Sequence, residues 1–327
     1  MNTKRWVAVG VFLGLLFIQL VSYFTIQGDD IGAVSGTTWS TKYYKMGTSG
    51  TIAILDINGI IQESSESSMF TAETYRHDVF LNQLEYAFTN SDIDGIVLRV
   101  NSPGGGVYES DEIYNKIISL REEYDKPFVV YMEQLAASGG YYVSAPADKI
   151  YANRNTITGS IGVAMGGINL KELMDNIGVK DNTITSGKNK TIMSSTHEMT
   201  SEQERILQEM VDETYDQFLD VVSQGRNIDK NDLRPIADGR VYTARQAKEN
   251  GLIDEIGMLD DAINEVANMS GLSNPSVVEF VNNDFGFLNA FLSKATNVLA
   301  SKNTINLKDV EKLADIKSSL PMYLWEQ

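Results

Sequence analysis

The chain has 327 residues, 43% of them hydrophobic and 22% charged, the balance of a folded protein of one large or two medium domains. Its net charge of -17 and pI near 4.5 argue against a nucleic-acid partner, because phosphate binding needs clustered Lys and Arg. The absence of cysteine excludes disulfides, thiolate catalysis and Cys-ligated zinc, and two histidines, His77 and His197, leave a Ser-His-Asp apparatus almost nothing to draw on.

Residues 6–26 are apolar and uncharged. As a helix rising about 1.5 Å per residue they span about 30 Å, the thickness of the hydrocarbon core. Lys4 and Arg5 precede the stretch while Asp29 and Asp30 follow it, so the positive-inside rule places residues 1–5 in the cytoplasm and the bulk of the chain outside. No small-x-small cleavage site follows, which favours an uncleaved single-pass anchor in the cell membrane over a signal peptide. Residues 27–49, rich in Gly, Ser, Thr and Asp, read as a juxtamembrane linker.

A catalytic domain is expected over 50–270. The β-branched apolar runs at 51–57, 93–100 and 127–132 fit strands buried on both faces of a sheet. Leu81, Leu84 and Phe88, then Ile113, Ile117 and Leu120, repeat at helical spacing between them. Such alternation predicts an α/β fold built from βαβ units. Beyond Ile161 the pattern predicts a Gly-rich apolar strand, a short helix at 170–176 and a strand at 179–185. A long helix follows, opened by a Thr200/Gln203 capping box and broadly apolar down to Gly225. Residues 271–327 form a C-terminal extension with an amphipathic segment at 287–299 and an apolar end at 320–325 that is costly to leave in water, so it is expected to dock.

Two glycine-rich turns leave the apolar strands: Asn-Ser-Pro-Gly-Gly-Gly at 101–106 and Ala-Ala-Ser-Gly-Gly at 136–140. Glycines let a backbone approach a ligand with its amides outward, which suits an oxyanion. Ser138 stands where a strand passes into a helix, among small residues that leave room for substrate; an N-cap serine is the plain alternative. The Gly139 amide and the helix dipole would both favour a developing oxyanion there. Neither the first turn nor Ser186-Gly-Lys188 has the spacing of a phosphate loop, and the serine is not in a Gly-x-Ser-x-Gly elbow. His77 and His197 read as surface residues, and with no His-Glu-x-x-His pairing a zinc site is not expected.

These two turns, followed by Thr-Gly-Ser-Ile-Gly at 158–162 and placed behind one N-terminal anchor, resemble the signal peptide peptidase A family over roughly residues 51–270. The resemblance implies Ser138 as nucleophile, Lys190 as general base, the amides of Gly105 and Gly139 as oxyanion hole, and Ser160 as the residue that orients the lysine. Residue chemistry alone leaves Lys188 and Lys190 open. Either would have to be neutral to act, whereas only about 0.1% of a free lysine is so at pH 7.4, which demands burial or a nearby positive charge. The resemblance also implies a Clp protease/crotonase-like spiral of ββα units, hydrophobic peptides such as remnant signal peptides as substrates, a ring-like homo-oligomer and no cofactor. Two rivals remain on sequence: a crotonase-like enzyme stabilising a thioester enolate, and a non-catalytic peptide-binding ring.

Overall fold

The computed structural model describes residues 39–63 and 75–282 and the backbone of 322–324. The expected anchor at 6–26 and the amphipathic segment at 287–299 lie outside them. Among the described residues no helix is long and apolar enough to cross a membrane.

In chain order the elements are β1 (Trp39–Lys45), β2 (Thr51–Asn58), α1 (His77–Thr89), β3 (Gly95–Ser102), β4 (Gly104–Gly106), α2 (Val107–Glu123), β5 (Phe128–Ala137), α3 (Gly139–Tyr142), β6 (Lys149–Ala152) and β7 (Ile157–Gly159). Then come α4 (Lys171–Ile177), α5 (Ser201–Arg226), α6 (Lys230–Leu233), β8 (Val241–Thr243), α7 (Ala244–Glu249), β9 (Glu255–Ile256), α8 (Leu259–Met269), β10 (Ser276–Asn282) and β11 (Met322–Leu324). The main sheet runs β1-β10-β2-β3-β5-β6-β9, with β7 beside the far end of β5 and β8 on β7. Every pair from β10 to β9 is parallel, while β1 on β10 and β8 on β7 are antiparallel.

The apolar runs form strands because both faces of the sheet are covered. Side chains alternate along a strand, so Ala53, Leu55, Ile57, Ile96, Leu98, Val100, Phe128 and Val130 join the larger core with residues of α1, α2 and α5. Ile52, Ile54, Val97, Val129 and Tyr131 meet Ala262, Ile263 and Val266 of α8 on the opposite face. The mixed sheet with flanking helices is the expected α/β class. The capping box is present: the Thr200 hydroxyl accepts from Gln203 N at 3.3 Å and the Gln203 side chain accepts from Thr200 N at 3.0 Å.

Several local expectations need correcting. The stretch read as linker carries β1, whose Trp39 packs on Tyr86 and Phe280 at ring distances of 4.9 and 4.7 Å, so the sheet begins before residue 50 and, through β10, ends after 270. Residues 179–185 form no strand: they are exposed along their whole length, and among the described residues no neighbouring strand completes the backbone hydrogen bonds a strand requires. The Gly-rich segment after Ile161 is likewise no regular strand. The long helix buries Phe218, Leu219, Val221 and Val222 near its C-terminal end, but in its N-terminal half only Gln203 is buried. His77 is 7% exposed rather than at the surface. Its Nδ1 meets the Tyr75 hydroxyl and its Nε2 meets Glu112, each at 2.7 Å, so both ring nitrogens are satisfied inside the fold.

Candidate active site

Both glycine turns leave the carboxyl ends of adjacent parallel strands, the edge where open α/β sheets place their ligands. At the end of β3 the chain turns at Ser102, whose hydroxyl accepts from Gly104 N at 3.0 Å, and continues as β4. One edge of β4 is already paired: Ile61 N donates to Gly104 O at 2.9 Å and Gly106 N donates to Ile61 O at 2.8 Å. Backbone groups alternate along a strand, so the Gly105 N–H faces the other edge. A side chain at 105 would overlap the Ile61 backbone; the position needs glycine because β4 runs hard against its neighbour.

At the end of β5 stands Ser138, 1% exposed, with φ 54 and ψ -118. A positive φ is unfavourable for a residue with a side chain and persists only where its surroundings enforce it. The enforcement is visible: Ser138 N donates to Gly159 O at 2.8 Å and Tyr142 N donates to Ser138 O at 2.9 Å. The tyrosines that follow lock the turn from below. The Tyr141 hydroxyl donates to Leu252 O at 2.8 Å and that of Tyr142 to Asp111 at 2.7 Å; burial pushes the Tyr141 phenol far above its ordinary value. The helix at this point is a single turn, Gly139–Tyr142, so the hydrogen-bonding amide matters more than any macrodipole.

The sequence-predicted residues divide into a group that converges and one that stands apart. A Cβ built on Gly139 would lie 3.1 Å from Gly105 N, so the two glycine backbones expected to form the oxyanion hole come together beside Ser138. Parallel pairing of Ala136 with Thr158 and Ala137 with Gly159 carries Ser160 alongside Ser138; Ser160 is 7% exposed, has φ 49 and donates its N–H to Arg240 O at 2.8 Å. Lys190 is different. It is exposed, on a segment whose helix α4 buries no residue, and its ammonium makes no hydrogen bond or ion pair among the described residues. Lys188, the competing lysine, holds Glu202 at 2.5 Å.

One functional feature was only half visible in the sequence. The apolar C-terminal end docks, and it docks here: β11 lies antiparallel on β4, with Tyr323 opposite Gly105 and Leu324 opposite Gly104. The free edge of the glycine strand thus holds an extended peptide, as in β-strand addition. Among the described residues no group of His, Cys, Asp and Glu could hold a metal ion.

Comparison with known proteins identifies the family. Residues 121–273 match the model of peptidase family S49. A protein of Enterococcus faecium named signal peptide peptidase SppA is 38% identical over 99% of both chains. Protease 4 of Salmonella typhi is 36% identical over 69% of this chain and 35% of its own length, and a chloroplastic serine protease SPPA of Arabidopsis thaliana is 34% identical over 51% of this chain and 24% of its own. Similarity along nearly the whole of the Enterococcus relative shows the family: the protein is a serine peptidase and belongs to the signal peptide peptidase A family within peptidase family S49.

Proposed function

We propose that the protein is a membrane-anchored endopeptidase that cuts hydrophobic peptides, such as signal peptides left after export, with Ser138 as nucleophile and Lys190 as base, the lysine being supplied to each serine by a second copy in a ring-like oligomer. The observation that carries this reading is the contrast between a buried, strained Ser138 beside Ser160 and an exposed Lys190 on an arm without a core of its own. Ile168, Leu173, Ile177 and Val179 are exposed on that arm and Ile184 is 97% exposed; apolar surface of this kind marks a contact with another protein. Inserted beside Ser138 and Ser160, the Lys190 amine would lose its water, which favours the neutral form.

The chemistry then follows. The neutral amine takes the Ser138 hydroxyl proton as the oxygen attacks the scissile carbonyl, and the amides of Gly105 and Gly139 receive the anionic oxygen. The lysine ammonium returns the proton to the leaving amine, an ester to Ser138 remains, and the same lysine activates the water that releases it. Ser160, accepting from the amine, would orient it without adding charge. The substrate class is the one named for the Enterococcus relative. An apolar peptide strand paired with β4 supports it, and an anchor at 6–26 would hold the site near the bilayer where such peptides remain. The ββα spiral is the fold expected with it.

Intact-mass analysis of the full chain in detergent after treatment with a serine-reactive phosphonate tests the assignment. Wild type should gain one adduct, and Ser138→Ala and Lys190→Ala none; labelling undiminished without Lys190 would mean that another base serves Ser138. Gly105→Ala provides a second check. Its methyl group meets the Ile61 backbone and must displace β4, so peptide turnover should fall by at least about a hundredfold, the loss expected when one oxyanion donor is withdrawn. Turnover near wild type would remove Gly105 from the oxyanion hole.

A further inference from the structure

Among the described residues, the Ser110 hydroxyl is a buried side-chain polar atom without a hydrogen-bond partner. Ser110 lies in the first turns of α2 and is 0% exposed. A buried serine in or just past a helix has a ready acceptor in the carbonyl four residues back, and Ser144, in the turn after α3, uses it, donating to Gly140 O at 2.6 Å. Ser110 does not. Its Oγ lies 2.5 Å from the point a Cβ on Gly139 would occupy, and the same point is 3.1 Å from Gly105 N. The orphan hydroxyl therefore sits against the two backbones assigned to the oxyanion hole, one of the few places where an unsatisfied buried group has a functional explanation.

We infer that Ser110 is a third hydrogen-bond donor of this oxyanion hole, uncommitted in the resting enzyme and engaged when the carbonyl oxygen becomes tetrahedral and anionic. This deepens the assignment of Ser138, Gly105 and Gly139 and rests on it. The hydroxyl stays unpaired even though a peptide backbone lies along β4, so a ground-state strand does not claim it. A donor made available only to the transition state raises kcat without tightening substrate binding. The glycine at 139 is part of the same device, because any side chain there would occupy the space beside Ser110. Asp111, the next residue, holds the Tyr142 hydroxyl at 2.7 Å, which fixes α2 against the turn that carries the nucleophile.

The test is Ser110→Ala in the full chain, with steady-state kinetics on a peptide, the rate of phosphonate labelling, and thermal melting measured together. Ala removes only the unpaired hydroxyl, so the melting temperature should equal or exceed that of wild type. kcat should fall by about a hundredfold with KM unchanged, and labelling, which builds a tetrahedral anionic adduct on Ser138, should slow in parallel. Wild-type kcat and labelling rate would overturn the inference, as would a loss accompanied by a lower melting temperature and a raised KM, the signature of a packing role. Failure of the Ser138 assignment is separately visible, since wild type itself would then carry no adduct at that serine.

Discussion

Coexpression of equal amounts of Ser138→Ala and Lys190→Ala chains should restore about a quarter of wild-type turnover, although each variant alone is inactive. If every site takes its serine from one copy and its lysine from the next, as in a head-to-tail ring, random assembly supplies an intact serine at half the sites. Half of these have an intact lysine beside it. A dyad closed within one chain gives no recovery at any ratio, since each chain lacks one member. The expectation follows from exposure and pairing: Ser138 is 1% exposed, Lys190 is exposed, and no hydrogen bond joins them. The readout is hydrolysis of a fluorogenic peptide as the ratio of the two chains is varied, with a maximum at equal amounts. Activity absent throughout, from oligomers shown to contain both variants, would refute supply of the lysine in trans.

The residues of this site were legible in the sequence to the extent that local backbone chemistry defines them. Gly105 and Ser138 announce themselves because a strand must turn sharply there, and glycines and small residues are what such turns require. The strands β2, β3 and β5 were readable for a related reason: a strand buried on both faces has to be apolar along its length. What the sequence concealed depends on partners far away along the chain. β1 is polar apart from Trp39, Tyr43 and Tyr44 and becomes a strand because β10, more than two hundred residues later, offers it an edge. His77 reads as a surface residue because nothing near it in sequence reveals that Glu112, 35 residues further on, meets its Nε2. The converse error occurred at 179–185, where β-branched residues suggested a strand but no edge is available. Ser110 carries no motif at all, and it stands out only once the hydrogen bonds of its neighbours have been accounted for.

Removal of residues 319–327 should lower the apparent KM for peptides about tenfold and leave kcat unchanged. Met322–Leu324 covers the free edge of β4, with Tyr323 opposite Gly105. A substrate strand needs that edge, since the other is taken by Ile61, so the tail and the substrate compete for one set of backbone groups. A tethered segment acts at an effective concentration of the order of millimolar. If its intrinsic dissociation constant is about 0.1 mM, the site is open about a tenth of the time, which raises the apparent KM of an incoming peptide by about that factor. The maximal rate is untouched because saturating substrate displaces the tail completely. Steady-state kinetics of the truncated chain against wild type decides the matter. An unchanged KM would mean that the tail does not occupy the substrate edge in solution, and a fall in kcat would mean that it helps to build the site rather than to block it. If the Gly105 amide receives the scissile carbonyl, the register that sets Tyr323 opposite Gly105 makes Tyr323–Leu324 the bond cut when the tail is taken as a substrate. A slow loss of residues 324–327 from wild type, seen by mass and absent from Ser138→Ala, is the outcome that follows from treating the tail as a bound substrate.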